Sequence, residues 1–324
     1  RQQRIRRPEA VVGRLGALVG IASRQVMTGH ELLALSPEAL AVQVRDINLF
    51  ARLSPDQKVL VLNALRQDGK IVGFMGDGVN DAPGIKSADI GLSVDGATGV
   101  ARAAADMILL ESDLSVVADG IEEGRQTFAN ILKYVRMGAS SNFGNMLSMA
   151  AAAFFLPFLP MVATQILLNN LLYDFSEIGI PFDRVAPDVI AEPQRWSMPS
   201  LIRFALVMGP LSSFFDLLTF GSLHLGFGLG IDAFRTGWFI ESIATQVLVI
   251  FIIRTRSALI QDHPHWVLSL TTFCALGAAL AIPLSPFGAW FGFTGLPLYV
   301  YLALAIITVL YLVSAEMMKR YAMQ

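Results

Sequence analysis

Met75-Gly76-Asp77-Gly78-Val79-Asn80-Asp81-Ala82-Pro83 follows directly on the apolar run IVGFM at 71–75, and its reading decides the fold of the first part of the chain. In open parallel sheets, ligands bind at the carboxyl ends of strands. That position here carries two carboxylates, Asp77 and Asp81, four residues apart, and two glycines, Gly76 and Gly78, that let backbone approach a ligand closely. Hard oxygen donors of this kind suit Mg²⁺, which takes one or two carboxylates and keeps phosphate and water as its other ligands. A glycine-rich turn with solvated aspartates is the bland alternative. The strand–loop–helix context of the whole nine-residue run favours the metal site.

Working outward, NLFARL (48–53) reads as a strand, and Ser54-Pro55 after it as an N-cap with proline at the first helical position. A helix is predicted from Pro55 to Gln67, with Val59, Leu62 and Leu65 as its buried stripe and Asp68-Gly69 as its stop. Lys58 falls in its first turn, where a lysine reaches a phosphoryl group as a point charge and the helix N-terminus adds its own attraction for anions. DIGLSV (89–94) and DMILL (106–110) are further short apolar runs. Three or four strands separated by helices of this size predict an α/β, partial Rossmann-like domain over 1–119.

The rest of the chain is of another kind. Of the 324 residues, 54% are hydrophobic and 15% charged, with a mean hydropathy of +0.56, and the charges concentrate before Arg136. Six later stretches are long and apolar enough for membrane helices: 138–157, 161–180, 201–225, 236–254, 266–284 and 296–317. A stalk over 120–137 leads into this all-α membrane domain, 138–324, whose first two helices form a hairpin around Pro157 and Pro160. Lys133, Arg136, Arg184, Arg195, Arg203, Arg254, Arg256, Lys319 and Arg320 all fall on one side of such a layout, and Arg235 stands alone on the other. The soluble region and the C-terminus are therefore expected to face the cytoplasm. The net charge of −2 gives no support to nucleic-acid binding, and the basic start (Arg1, Arg4, Arg6, Arg7) reads as a solvated or cut end. A single cysteine, Cys274, excludes an intrachain disulfide.

Polar residues inside the predicted spans are costly and point to an ion path or a partner. Asn142 and Asn145 share a face of the first span with Met149, and Asn170, Asp174 and Glu177 one of the second. Ser141 and Ser148 fit interhelical hydrogen bonding. Asp174 and Glu177, with no intramembrane Lys or Arg near them in sequence, require a cation or a proton. Asp216 is a further acid in the third span with no evident partner, while His224 and Glu241 are expected at membrane ends.

MGDGVNDAPGIKSADIGLSV resembles the hinge-and-metal motif of P-type ATPases, which belong to the haloacid dehalogenase-like phosphotransferases. FARLSPDQK is similar to that family's phosphate-contacting lysine segment, and EEGRQTFANILKYVRMGASSNFGN to its stalk and fifth membrane helix. SSNFGN, QILLNNLLYDFSEIGIPFD, PQRW and SSFFDLLTF resemble the magnesium-transporting branch. The resemblance implies a haloacid dehalogenase-like domain in which Asp77 holds cofactor Mg²⁺, Asp81 supports that site, Asn80 shapes it, and Lys58 meets the phosphoryl group. It implies that Asn142, Asn145, Asn170 and Asp174 hold the transported cation; Glu177 joins them on helix geometry alone.

The implied whole is an ATP-driven pump in the bacterial plasma membrane that moves a divalent cation, Mg²⁺, through an aspartyl-phosphate. The family's Asp-Lys-Thr-Gly-Thr stretch does not occur here, nor a Thr-Gly-Asp ahead of RPEAVVGRLGALVGI; Thr28-Gly29 belongs to a later, noncatalytic segment. The expectation is therefore a C-terminal part that needs the N-terminal part of the same pump and is inactive alone. A pump for Ca²⁺ or a monovalent cation, and a noncatalytic pump-derived module, remain as alternatives.

Overall fold

The computed structural model describes residues 25–255, apart from 112 and 114, and 263–323. The basic start, the RPEAVVGRLGALVGI stretch and Arg256 lie outside the described residues. The chain divides into two compact units, one ending at Asp119 and one over Gly120–Gln324.

In the first unit, β1 (Val26–Thr28) is followed by α1 (Gly29–Leu33) and α2 (Pro37–Gln43), then β2 (Leu49–Ala51) and α3 (Pro55–Gln67). β1 and β2 pair in parallel, Val26 opposite Leu49 and Thr28 opposite Ala51. The second sheet alternates β3 (Gly73–Met75), α4 (Ala82–Ser87), β4 (Ile90–Val94), α5 (Gly99–Ala104) and β5 (Met107–Leu109). Its order is β3-β4-β5, all parallel, with Gly73 opposite Ile90 and Leu92 opposite Met107. The four expected strands are thus present, each shorter than its apolar run, and β1 is an addition. Its sequence signal is the capping box at Thr28 and Glu31, which starts the next helix.

α3 starts where Ser54 and Pro55 predict, with a reciprocal Ser54–Gln57 capping box, an arrangement whose cap alone contributes about 1 kcal/mol. Its inward face differs from the expected stripe. Leu62 is buried, but Val59 and Leu65 are half-buried, and Gln57, Val61 and Ala64 take the inner positions. The cause is the β1–β2 layer: Val61 and Ala64 join Met27, Leu32, Leu40, Val44 and Ile47 in one core, and the Gln57 amide donates to Gly29 O at 2.9 Å.

The second unit is helical: α6 (Ser115–Ala152, its first residues belonging to the preceding unit), α7 (Ala163–Glu177), α8 (Pro187–Ala191), α9 (Met198–Gly221), α10 (Ile231–Leu248), α11 (Ile250–Ile253), α12 (Trp266–Leu284) and α13 (Leu298–Ala322). Among the described residues four stretches are long and apolar enough to cross a membrane: Met198–Gly226, Ile231–Ile253, Trp266–Leu284 and Leu298–Ala322. The expected first two spans do not reach that standard. α6 is interrupted by Ser, Asn and Gly, and α7 has only 15 residues, about 22 Å of helix.

α10 is enclosed on almost every side, with Trp238, Phe239, Ile243 and Val247 in one core together with Phe220, Phe234 and Phe293. α13 instead has two faces. Val300, Leu304, Ile307, Tyr311 and Ala315 pack inward, while Leu298, Leu302, Ile306, Val309, Val313 and Met317 are exposed, as a lipid-facing helix requires. α6 and α9 meet through small residues. A Cβ at Gly209 would stand 2.5 Å from the Phe143 ring, and one at Gly144 would stand 3.2 Å from Gly209 O. Ser213 Oγ uses this proximity to donate to Gly144 O at 2.9 Å.

One buried acid ties the ends of several elements together. Asp183, fully inaccessible after α7, accepts from Lys133 Nζ at 2.8 Å, from Arg254 Nε at 2.9 Å and from the His265 backbone at 3.3 Å. Asn130 on α6 donates to the carbonyls of Pro181 and Asp183, and Arg125 to those of Ile190 and Ala191 on α8. Burial works to raise the Asp183 carboxyl, but the Arg254 and Lys133 contacts outweigh it and hold it below the usual carboxylate range. Its stabilisation is therefore complete above the ordinary aspartate range and is lost as the pH falls through the lowered value. Asp183→Asn is predicted to cost about 3 kcal/mol, because it leaves two cations facing a neutral partner. Helix melting of the detergent-solubilised chain checks this, and an unchanged midpoint at neutral pH refutes it.

Candidate functional site

The MGDGVNDAP loop leaves the carboxyl end of β3 and turns into α4, as an open-sheet ligand loop must. Lys58 Nζ meets Asp81 Oδ1 at 2.5 Å, and the Gly78 N–H donates to Asp81 Oδ2 at 3.1 Å. The Lys58 ammonium, more than any other neighbour, holds the Asp81 carboxyl below its usual range. A Cβ at Gly76 would collide with the Asp81 side chain, so this glycine is needed for close approach. Gly78 has an ordinary φ of −99°, and its role is to present an N–H to Asp81.

Asp77 differs from Asp81. Its backbone carbonyl accepts from Thr98 N at 2.9 Å, but among the described residues its exposed carboxylate has no hydrogen-bond or ion-pair partner. Asn80 is likewise exposed. Among the described residues no three His, Cys, Asp or Glu side chains gather as a metal cage. One open carboxylate beside an engaged one suits Mg²⁺, which keeps most of its ligands as water and phosphate. Next to the loop lies an open recess of about 600 Å³ lined by Phe50, Arg52, Leu62, Phe74 and Met75 as well as by Lys58 and Asp81. Arg52, at the end of β2, has a φ of 55°, a left-handed conformation that costs a non-glycine residue of order 1 kcal/mol and clusters at functional loops.

The membrane candidates separate into an outer and an inner set. Asn142, Asn170 and Asp174 are exposed on the surface of the second unit, while Asn145 is half-buried and Glu177 buried. Glu177 therefore does not share the face of Asn170 and Asp174; it turns inward toward Tyr173. Asn169, which the sequence reading passed over, is buried with its Oδ1 unpartnered. Asn145 Oδ1 lies 3.5 Å from Gln246 Nε2, and Ser141 Oγ donates to Gln246 Oε1 at 3.1 Å. Gln246 was not singled out, because a lone glutamine in an apolar run carries little signal without its neighbours.

Glu241 is not at a membrane end. It lies ten residues into α10 and is 1% exposed, because α10 begins at Ile231, earlier than its apolar pattern indicates. Asp216 does have partners: Ser148 Oγ donates at 2.6 Å and Trp238 Nε1 at 2.8 Å. Ser148 thus makes the interhelical bond expected of it. His224 sits in a π turn after α9, edge-on to Phe158 and Phe234.

A parallel α/β unit with a strand-end aspartate loop stands in sequence ahead of a bundle with buried acids and helices apolar enough to cross a membrane, the make-up of an integral membrane protein. The C-terminal family of cation-transporting ATPases matches residues 158–321. Relatives include "Magnesium-transporting ATPase, P-type 1" of Escherichia coli (strain K12), 42% identical over 97% of this chain and 35% of the relative, and its counterpart in Salmonella typhimurium (strain LT2), equally similar. A "Calcium-transporting ATPase" of Bacillus subtilis is 39% identical over 53% of this chain and 20% of its own length. The chain belongs to the P-type cation-transporting ATPase family and carries its C-terminal, membrane-integral region. It spans about a third of the length of the magnesium-transporting relatives.

The Lys58–Asp81 contact is part-exposed, so a double-mutant cycle with Lys58→Ala and Asp81→Ala is predicted to give a coupling of about 1 kcal/mol in unfolding of the chain. The coupling is present at neutral pH and disappears as acid protonates Asp81 below the ordinary carboxylate range. Gly76→Ala, which displaces Asp81, is expected to remove the same coupling; a full coupling in that background refutes the close-approach role.

Proposed function

We propose that this chain is the part of an ATP-driven magnesium pump that holds cofactor Mg²⁺ and carries the transported ion, working with the remainder of the same protein through an aspartyl-phosphate. The observation that carries the reading is the open Asp77 carboxylate beside the Lys58–Asp81 contact, at the carboxyl end of a parallel sheet. Asp77 would hold Mg²⁺ there, and bound Mg²⁺ supplies neutralising charge for phosphoryl transfer. Lys58 adds a fixed positive charge, and Asp81 keeps that ammonium in place. Asn80 orders the loop. β3 is an edge strand among the described residues, and the recess beside it gives the rest of a haloacid dehalogenase-like sheet a place to pair.

In the membrane, α7 and the second half of α6 complete a set of six spans, the turns around them making up for their length. Asn142, Asn170 and Asp174 face outward because further helices of the whole protein cover them, and Asn145 and Glu177 extend that cation site inward. The placement of Lys133, Arg136, Arg184, Arg195, Arg203, Arg254, Lys319 and Arg320 supports a cytoplasmic soluble region and C-terminus. Magnesium as cargo is supported by the magnesium-transporting relatives, which match along nearly the whole chain; the calcium-transporting one from Bacillus subtilis matches little more than half.

Cation-dependent phosphoenzyme formation from ATP by the full-length gene product tests the reading. Asp77→Asn is expected to lower it roughly a hundredfold or more, the effect of removing a charge-stabilising group. Asp174→Asn is expected to remove the response to Mg²⁺ and leave phosphorylation competence. A response to Ca²⁺ instead transfers the cargo to calcium, and undiminished phosphorylation in Asp77→Asn overturns the cofactor role. The chain of 324 residues alone is expected to form no phosphoenzyme.

A further inference from the structure

The transport site proposed above leaves two buried acids of the membrane unit unused. Asp216 on α9 and Glu241 on α10 are 2% and 1% exposed, and Trp238, whose Nε1 donates to Asp216, stands one turn before Glu241 on α10, which brings the two carboxyl groups to the same place in the bundle. An ionised carboxylate only accepts, so a hydrogen bond between two carboxyl groups requires an O–H on one of them. The surrounding donors decide which. Trp238 Nε1, which can only donate, gives Asp216 a hydrogen bond, and Ser148 Oγ, whose one proton Asp216 shares with the Gly144 carbonyl, lies 2.6 Å from it, so Asp216 is the better supplied acceptor. Among the described residues Glu241 receives no such donor, and its Oε2 has no hydrogen-bond partner.

The groups packed around the pair leave no other source of neutralisation. α6 brings Ser148, α10 brings Trp238, and α13 brings the Tyr311 hydroxyl, which reaches toward Ser212. Among the described residues no Lys, Arg or His is ion-paired with either acid. Two adjacent carboxylates in an apolar bundle cannot both ionise without a counter-charge. Thr219, one turn beyond Asp216, adds a buried hydroxyl that has no partner among the described residues.

We propose that Asp216 and Glu241 form an intramembrane proton-binding site, with one proton on Glu241 hydrogen-bonded to Asp216, separate from the outward-facing Asn142, Asn170 and Asp174. Its ligand is a hydron rather than a metal ion, whichever cation the pump carries. Binding forms one O–H bond on Glu241, and release breaks it, with no other bond changed.

Infrared difference spectroscopy of the full chain in liposomes at neutral pH, without divalent ions, tests this. Wild type minus Glu241→Gln is expected to show the carbonyl stretch of one protonated carboxylic acid per chain. Asp216→Asn is expected to keep that band at a shifted frequency, since Glu241 stays protonated in an apolar site. Circular dichroism and elution as a single species qualify each variant as folded. An unaltered acid band in Glu241→Gln, or its loss in Asp216→Asn, overturns the assignment. So does loss of the wild-type band on adding MgCl₂ alone while Glu177→Gln keeps it, because the site would then be a metal site.

Discussion

The membrane unit depends on the satisfaction of one buried charge. Asp183 lies where the chain leaves α7, and it would be intolerable there without Lys133 from α6 and Arg254 from beyond α11. Each of those cations belongs to a different segment, and the His265 N–H adds the start of α12. Hydrophobic burial between helices is nearly indifferent to sliding, since one Leu is much like the next. A carboxylate with two fixed cationic partners is not. It sets the height at which α6, α7 and α12 stand relative to one another, and thereby which residues of α6 reach α9 and α10.

That registration explains why acids in one bundle have such different surroundings. Asp174 is exposed at the surface of the unit, where the proposed cation and the remaining helices of the pump would meet it. Asp216 is tolerable in the interior because Ser148 and Trp238 donate to it, and Ser148 is at the right height because Gly144 and Gly209 let α6 and α9 approach. Burial by itself is therefore a poor guide to the role of an intramembrane acid, and the inventory of donors around it is a better one.

The sequence carries the soluble architecture in local chemistry: Ser54-Pro55 starts α3 and Asp68-Gly69 stops it, and both boundaries are where that chemistry puts them. β1 was illegible because three residues give no alternation to read. The rotation of the α3 face was equally hidden, since Val59 and Val61 are equivalent until the β1–β2 layer is in place. In the second unit, four of the six expected spans coincide with helices that are long and apolar enough to cross a membrane among the described residues, and α7, with 15 residues, is too short to be one of them. Lys58 and Asp81 were legible as candidates, yet only tertiary contact separates an engaged Asp81 from an open Asp77. Glu241 was misplaced for a related reason: hydropathy does not register that Ile231–Phe234 already belongs to the helix.

The meeting of α6 and α9 also restricts which motions the bundle has. Gly144 and Gly209 bring two backbones so near that any turning of α6 about its own axis would drive Phe143 into α9. Rotation is thus stiff at this contact, and sliding of α6 along its axis is opposed by the Lys133–Asp183 ion pair. The Ser148 hydroxyl is thereby held beside Asp216, so the hydrogen-bond supply of the interior is as fixed as the packing around it.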